Sequence, residues 1–156
     1  MFFIKMMGDF KCLSYNVKGL QNKVKRISIF NFCKEKIRNN GIVLLQESHS
    51  SRKDIKRWKS EWGADIFLNH GSSNSSGTLI AFSKNFENKK LQYIDDGTGR
   101  IQIVTFEHKN KKYMIVNVYN NNNEKDQVET LKKIDILMAT FNDINGYSIV
   151  FFGGGD

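Results

Sequence analysis

Ile42-Val43-Leu44-Leu45-Gln46-Glu47 is the stretch that decides the fold class. Four apolar residues in a row, without alternation, mark a strand covered on both faces. Helical patterns flank it. Upstream, Val24, Ile27, Phe30, Cys33 and Ile37 recur at steps of three or four, and Lys25, Arg26, Lys34, Glu35 and Arg38 fill the gaps. Asn39-Asn40-Gly41 ends that helix. Downstream, Arg52 to about Trp62 reads as a short basic helix with Ile55, Trp58 and Trp62 on one side.

Further out, Lys11 to Val17 reads as a strand that ends near Gly19. Asp65 to Leu68 is another strand, Gly71 to Gly77 a Ser-rich loop, and Thr78 to Phe82 strand again. Ile101 to Phe106 and Lys112 to Tyr119, joined by a polar tetrapeptide, predict an antiparallel hairpin. Val128, Leu131, Ile134, Leu137, Met138 and Phe141 define a further amphipathic helix, with Glu124 and Asp126 suited to the positive end of its dipole. Ser148 to Phe152 reads as a last buried strand, running into Gly153-Gly154-Gly155-Asp156. The order β-α-β-α-β-β-β-β-β-α-β predicts an α/β sandwich with a mixed sheet. No repeat, linker or internal boundary is visible; residues 1–9 are set aside as an N-terminal extension and 10–156 as one domain.

Composition narrows the function classes. The chain has 156 residues, 40% hydrophobic and 12% aromatic, enough for a sizeable core. A net charge of +8 favours an anionic partner, most often nucleic acid, although a solvated basic surface is the plainer reading. Cys12 and Cys33 are isolated, so free thiols are expected. His49, His70 and His108 are scattered and show no zinc-ligand spacing. The apolar start is too short for a signal sequence and no run approaches a membrane span, so an intracellular protein with no membrane partner, a monomer by default, is expected.

Several strands end in a residue able to handle a metal or phosphate: Asn16, Glu47, Tyr119 and Asp156. In α/β folds ligands gather off the carboxyl ends of strands. Glu47 directly follows a fully apolar run, where an unpartnered carboxylate is costly, which singles it out as a candidate carboxylate for Mg²⁺ or Mn²⁺. Asn16 and Tyr119 can donate hydrogen bonds to a phosphate, and Asp156 can orient or deprotonate a water. Each has a plainer reading: Asn and Tyr at strand ends are usually turn or rim residues, and Asp156 after three glycines can be a tail.

Taken together the motifs resemble a known family. Leu13-Ser14-Tyr15-Asn16-Val17-Lys18-Gly19-Leu20, Leu44-Leu45-Gln46-Glu47-Ser48-His49, Gly99-Arg100, Asn117-Val118-Tyr119 and Gly154-Gly155-Asp156 occur in the order and approximate spacing of the endonuclease/exonuclease/phosphatase superfamily. Trp58 to Gly63, followed by Gly71 to Gly77, resembles in particular the apurinic-endonuclease-like domain of LINE-type retrotransposons. The resemblance implies a DNase I-like, four-layer α/β sandwich and metal-dependent nicking of DNA, in the nucleus for a retrotransposon enzyme. It implies that Glu47 binds the metal, that Asn16 is the active-site Asn of the first strand, that Tyr119 contacts phosphate and that Asp156 positions the attacking water. Asn122 corresponds to a further polar residue three positions after that Tyr. Arg100 belongs to a recurrent Gly-Arg with either a structural or a nucleic-acid-facing role.

Three departures qualify the likeness. Asn120-Asn121-Asn122 stands where the family has Ala-Pro-Asn, and an extra glycine precedes Asp156. The family's Phe-Asn after that Asp, its later Asp and its late Ser-Asp-His have no counterpart, so the sandwich is expected to be incomplete at the C-terminus, inactive alone, with unpaired strand edges. Two alternatives stay open: another phosphatase or phosphodiesterase of the superfamily, and a degenerate, non-catalytic nucleic-acid-binding remnant.

Overall fold

The apolar run that opens the sequence argument is β3 (Gly41–Gln46), buried along its whole length. The structure is a computed structural model that describes residues 2–72, 74–120, 123–141 and 144–155. Around β3 lie β1 (Phe2–Met7), β2 (Phe10–Asn16), β4 (Ile66–Asn69) and β5 (Thr78–Phe82), in the sheet order β1-β2-β3-β5-β4. A second sheet, ordered β6-β7-β8-β9, holds β6 (Lys89–Asp95), β7 (Ile101–His108), β8 (Lys111–Asn120) and β9 (Ser148–Gly155).

Side chains on the two faces of β3 explain the layering. Ile42 and Leu44 point inward, where they meet Ile80, Phe82, Val104, Phe106, Ile115 and Phe152 between the sheets. Val43 and Leu45 point outward and are covered, with Leu13 and Leu79, by α1 (Lys23–Ile37) and α2 (Ile55–Trp62) through Phe30, Cys33, Trp58 and Trp62. On the far side, α3 (Glu124–Met138) packs Ile134 over Ile101, Ile103, Met114 and Val116 of the second sheet. The result is a four-layer mixed α/β sandwich, as predicted.

β2 pairs parallel with β3 across α1, and β8 pairs parallel with β9 across α3. β7 and β8 form the predicted antiparallel hairpin, closed by Lys109 and Asn110, both with positive φ (49° and 68°), the conformation of a two-residue primed turn. Asn22 caps α1 by accepting from the Lys25 N–H, and Asn123 caps α3. Both cysteines are free and buried, and burial pushes each thiol up to about 12. No helix among the described residues is long and apolar enough to cross a membrane.

Some expectations need correction. The segment ahead of Phe10, set aside as an extension, is β1 and pairs antiparallel with β2 from Phe2↔Tyr15 to Met7↔Phe10. Val24, Val128 and Leu131 do not face the core; each is exposed. Arg26, assigned to the polar face of α1, is buried instead: it holds Glu61 with two hydrogen bonds, caps the Leu20 and Gln21 carbonyls and lies over the Trp58 ring. The face of a helix is set by what packs against it, and here the neighbouring helix α2 offers a carboxylate. β9 is an edge strand rather than a buried one: Phe152 is buried but Phe151 is 55% exposed. β6 has no apolar signature, because it is also an edge and opens on Lys89-Lys90.

Candidate active site

Parallel pairing puts the carboxyl ends of β2 and β3 at one end of the molecule, with Asn16 opposite Gln46 and Glu47 next in the chain. In the second sheet Tyr119 of β8 lies opposite Gly154 of β9. The two sheets meet here: a Cβ on Gly154 would lie 2.9 Å from Gln46 Oε1 and 3.5 Å from the Asn16 Cβ. Only glycine leaves room for that approach. The structure therefore brings Asn16, Glu47 and Tyr119 to one end of the sandwich.

Glu47 is held in an unusual way. Its φ is +55°, in the left-handed region that costs a side-chain-bearing residue energy, and His49 repeats this at +57°. The turn between them is clamped on two sides. Gly19 N–H donates to the Glu47 carbonyl (2.6 Å) and Leu20 N–H to the Ser48 carbonyl (3.0 Å). From the other side, Ser48 N–H reaches the Gly77 carbonyl and His49 N–H the Ser76 carbonyl, both at 3.0 Å. Gly19 is required, since a Cβ there would stand 2.7 Å from His49 Nδ1. Strained backbone over-determined by its surroundings is a mark of functional sites.

The carboxylate itself is 9% exposed as a residue. Asn16 Nδ2 donates to Glu47 Oε1 at 3.2 Å, and the Asn16 carbonyl oxygen accepts from the Lys18 N–H, which fixes the amide's orientation. Glu47 Oε2 stands 3.7 Å from His49 Nε2, beyond hydrogen-bond range, and that imidazole nitrogen is buried without a hydrogen-bond partner among the described residues. One carboxylate oxygen is thus anchored, and no hydrogen bond among the described residues engages the other. That donor set fits Mg²⁺ or Mn²⁺, which accept one or two carboxylates and complete their shell with water and phosphate oxygens. Among the described residues no group of three His, Cys, Asp or Glu converges.

Tyr119 is 7% exposed, and its N–H donates to the Arg100 carbonyl at 2.8 Å. Arg100 is half-buried and its Nη1 has no hydrogen-bond partner among the described residues; the side chain lines a cavity of about 140 Å³ with Asp126, Glu129, Thr130 and Lys133. Arg100 therefore reaches the candidate site through the backbone that holds Tyr119. Asn122 and Asp156 lie outside the described residues.

Sequence reasoning missed what lies beneath the site. Gln46 and Asn117 are buried, and Gln46 Nε2 donates to Asn117 Oδ1 at 2.8 Å, to Ser14 Oγ and to the Leu44 carbonyl. Asn117 Nδ2 reaches the Leu45 and Leu79 carbonyls and Gln102 Oε1. Gln102 Nε2 continues to the Phe67 carbonyl and the Tyr93 hydroxyl, which donates to Asp95. Burial, and next the Asp95 carboxylate, push the Tyr93 phenol well up. A polar ladder thus crosses the apolar layer between the sheets. Its signal was present: Gln102 and Asn117 each stand between apolar neighbours in a strand.

No family model matches the chain. The Transposon TX1 uncharacterized 149 kDa protein of Xenopus laevis is 23% identical over 129 residues, which cover 81% of this chain and 10% of that protein. Among solved structures, D. rerio TDP2 complexed with single strand DNA product superposes with a TM-score of 0.59 at 17% identity, over 91% of this chain and 58% of that one. The AP endonuclease LMAP from Leishmania major gives 0.59 at 14% identity, over 86% and 47% of the two chains. The endonuclease domain of TRAS1, a telomere-specific non-LTR retrotransposon, gives 0.54 at 17%, over 92% and 57%. The chain thus spans a tenth of the transposon protein and about half of these structures. The fold is the DNase I-like α/β sandwich that the motifs imply. The proteins that share it include endonucleases, one of them from a retrotransposon.

Proposed function

We propose that this chain belongs to a metal-dependent phosphodiesterase that nicks DNA, of the kind a LINE-type retrotransposon carries into the nucleus. The observation that carries the reading is Glu47: a carboxylate on clamped, left-handed backbone, with one oxygen held by Asn16 and the other open. In this reading Glu47 Oε2 holds Mg²⁺ or Mn²⁺. When bound, the ion neutralises charge on the attacked phosphate and on the leaving oxygen. Asn16 aims the carboxylate through its amide N–H. Tyr119 donates to a phosphate oxygen, and Asp156 accepts the proton of the attacking water. Asn122 and Arg100 contact the DNA strand in this reading. The partner is DNA and the working unit a monomer.

The test is nicking of supercoiled plasmid by a domain that joins this chain to the family's late Ser-Asp-His, with Mg²⁺, with Mn²⁺ and with EDTA, beside Glu47→Gln. Nicking that needs the metal and is lost in Glu47→Gln supports the reading. Metal-dependent nicking that survives the substitution overturns the assignment of Glu47. A second reading, a non-catalytic nucleic-acid-binding remnant, is favoured by Asn120-Asn121-Asn122 in place of the family's Ala-Pro-Asn. It is the outcome if a domain that joins this chain to the family's late Ser-Asp-His binds plasmid but no metal ion produces nicks.

A further inference from the structure

The positive charge of this chain is not spread over it. Residues 18–63 hold twelve of the 24 Lys and Arg but only four of the 16 Asp and Glu, so the whole surplus of +8 sits there, and the rest, with twelve of each, is neutral. This segment is the loop after β2, α1, β3 and α2; the two helices form the layer outside the first sheet, and β3 lies beneath them.

Its few acids do not offset the surface. Glu47 lies in the candidate site, Glu61 is held by buried Arg26, and Asp54 is buried against Gln21 and Ser51. Only Glu35 is exposed. Lys18, Lys23, Lys25, Arg38, Arg52, Lys53, Lys56, Arg57 and Lys59 are exposed. Where α1 and α2 end together, an open cavity of about 370 Å³ is lined by Lys34, Arg38 and Lys84 with no acidic residue. α1 runs about 22 Å at the usual helical rise, away from the end that carries Glu47. The acidic residues Glu124, Asp126 and Glu129 stand instead on α3, in the opposite layer.

We infer that the exposed face of α1 and α2 is a second DNA-binding surface, outside the catalytic end, which grips the phosphate backbone of duplex DNA. The surface rests on charge placement alone; its choice of partner rests on the proposed function. A one-sided cationic layer of this length matches a polyanion, and it releases counterions as phosphates replace them. It holds DNA beside the carboxylate that acts on it without reading sequence.

The test is fluorescence anisotropy of a labelled 30-base-pair duplex in EDTA, from about 50 to 200 mM KCl. Three proteins are compared: the wild type, a helical-face set (Arg38→Gln, Lys56→Gln, Arg57→Gln, Lys59→Gln) and a matched set elsewhere (Lys89→Gln, Lys111→Gln, Lys125→Gln, Lys132→Gln). All eight substituted cations are exposed, and equal thermal midpoints verify folding. The slope of log affinity against log salt should flatten by about 0.9 for each cation that touches a phosphate, roughly 2–4 for the helical-face set. The matched set should keep the wild-type slope. Equal flattening by both sets, no flattening by the helical-face set, or no duplex binding by the wild type overturns the inference. The proposed reaction fails separately, by metal-independent or absent nicking with this binding pattern intact.

Discussion

The Gln46 side-chain amide donates to Asn117 Oδ1 across 2.8 Å, and this bond joins the strand that leads into Glu47 to the strand that leads into Tyr119. It lies one residue before the first and two before the second. The relative placement of the two candidate site residues therefore depends on an uncharged pair buried between the sheets.

Asn117→Leu removes that bond and leaves Gln102 Oε1 without its Asn117 donor, while similar side-chain volume preserves packing. Stability should fall by about 1–3 kcal/mol, measured by urea unfolding. Mn²⁺ affinity, followed by electron paramagnetic resonance, should weaken about tenfold or more, as when groups that orient a metal ligand are lost. Unchanged affinity would mean that Glu47 is placed by its own turn alone.

Glu47→Ala and Glu47→Gly both delete the carboxylate, but only glycine tolerates φ +55° without strain. The glycine variant should be more stable than the alanine variant by about 1 kcal/mol, and both should lack metal-dependent nicking. Equal stabilities would show that the backbone at this position carries no strain.

Arg26→Ala leaves Glu61 without its bidentate partner and opens a cavity beside Trp58. A loss of about 3–5 kcal/mol is expected from breaking a buried pair one-sidedly. Arg26→Met with Glu61→Leu should recover most of it, since apolar replacement removes both charges together. A loss under about 1 kcal/mol for Arg26→Ala would place the pair with ordinary surface bridges.

Acid stability should report on Asp96. Burial alone would raise its carboxyl, yet hydrogen bonds from Thr98, from Asn69 and from the Thr98 and Ile101 N–H groups bring it below its ordinary 3.8. The folded value lies below the unfolded one. Its stabilisation is therefore complete above about pH 4 and is lost as pH falls through the folded value. Asp96→Asn should flatten the fall of unfolding free energy below pH 4. An unchanged slope would assign acid sensitivity to other carboxylates.

Much of this molecule was legible in its residues because the reporting signals are local. An unbroken apolar run gives a strand sandwiched between layers, and a step of three or four gives a helix. Glu47 stood out because a carboxylate at the end of such a run needs a partner, and Asn16 supplies one. What stayed hidden depends on contacts distant in sequence. Arg26 reads as surface until Glu61, 35 residues away, is placed beside it. The Gln46–Asn117 bond spans 71 residues, and no spacing rule reaches so far. β1 and β6 were obscured because edge strands, paired on one side only, need no uniform apolar pattern.

Phe3 of β1 contacts Phe152 of β9, with ring centroids 6.4 Å apart. β1 thus waits for β9, which is made much later, to close its side of the core. Gly154, which abuts Gln46 and Asn16, arrives with that same strand. Synthesis proceeds at about 5–20 residues per second, so the neighbourhood of Glu47 stays unfinished for several seconds after Glu47 itself emerges. The surroundings of Glu47 are therefore completed only when β9 joins its sheet.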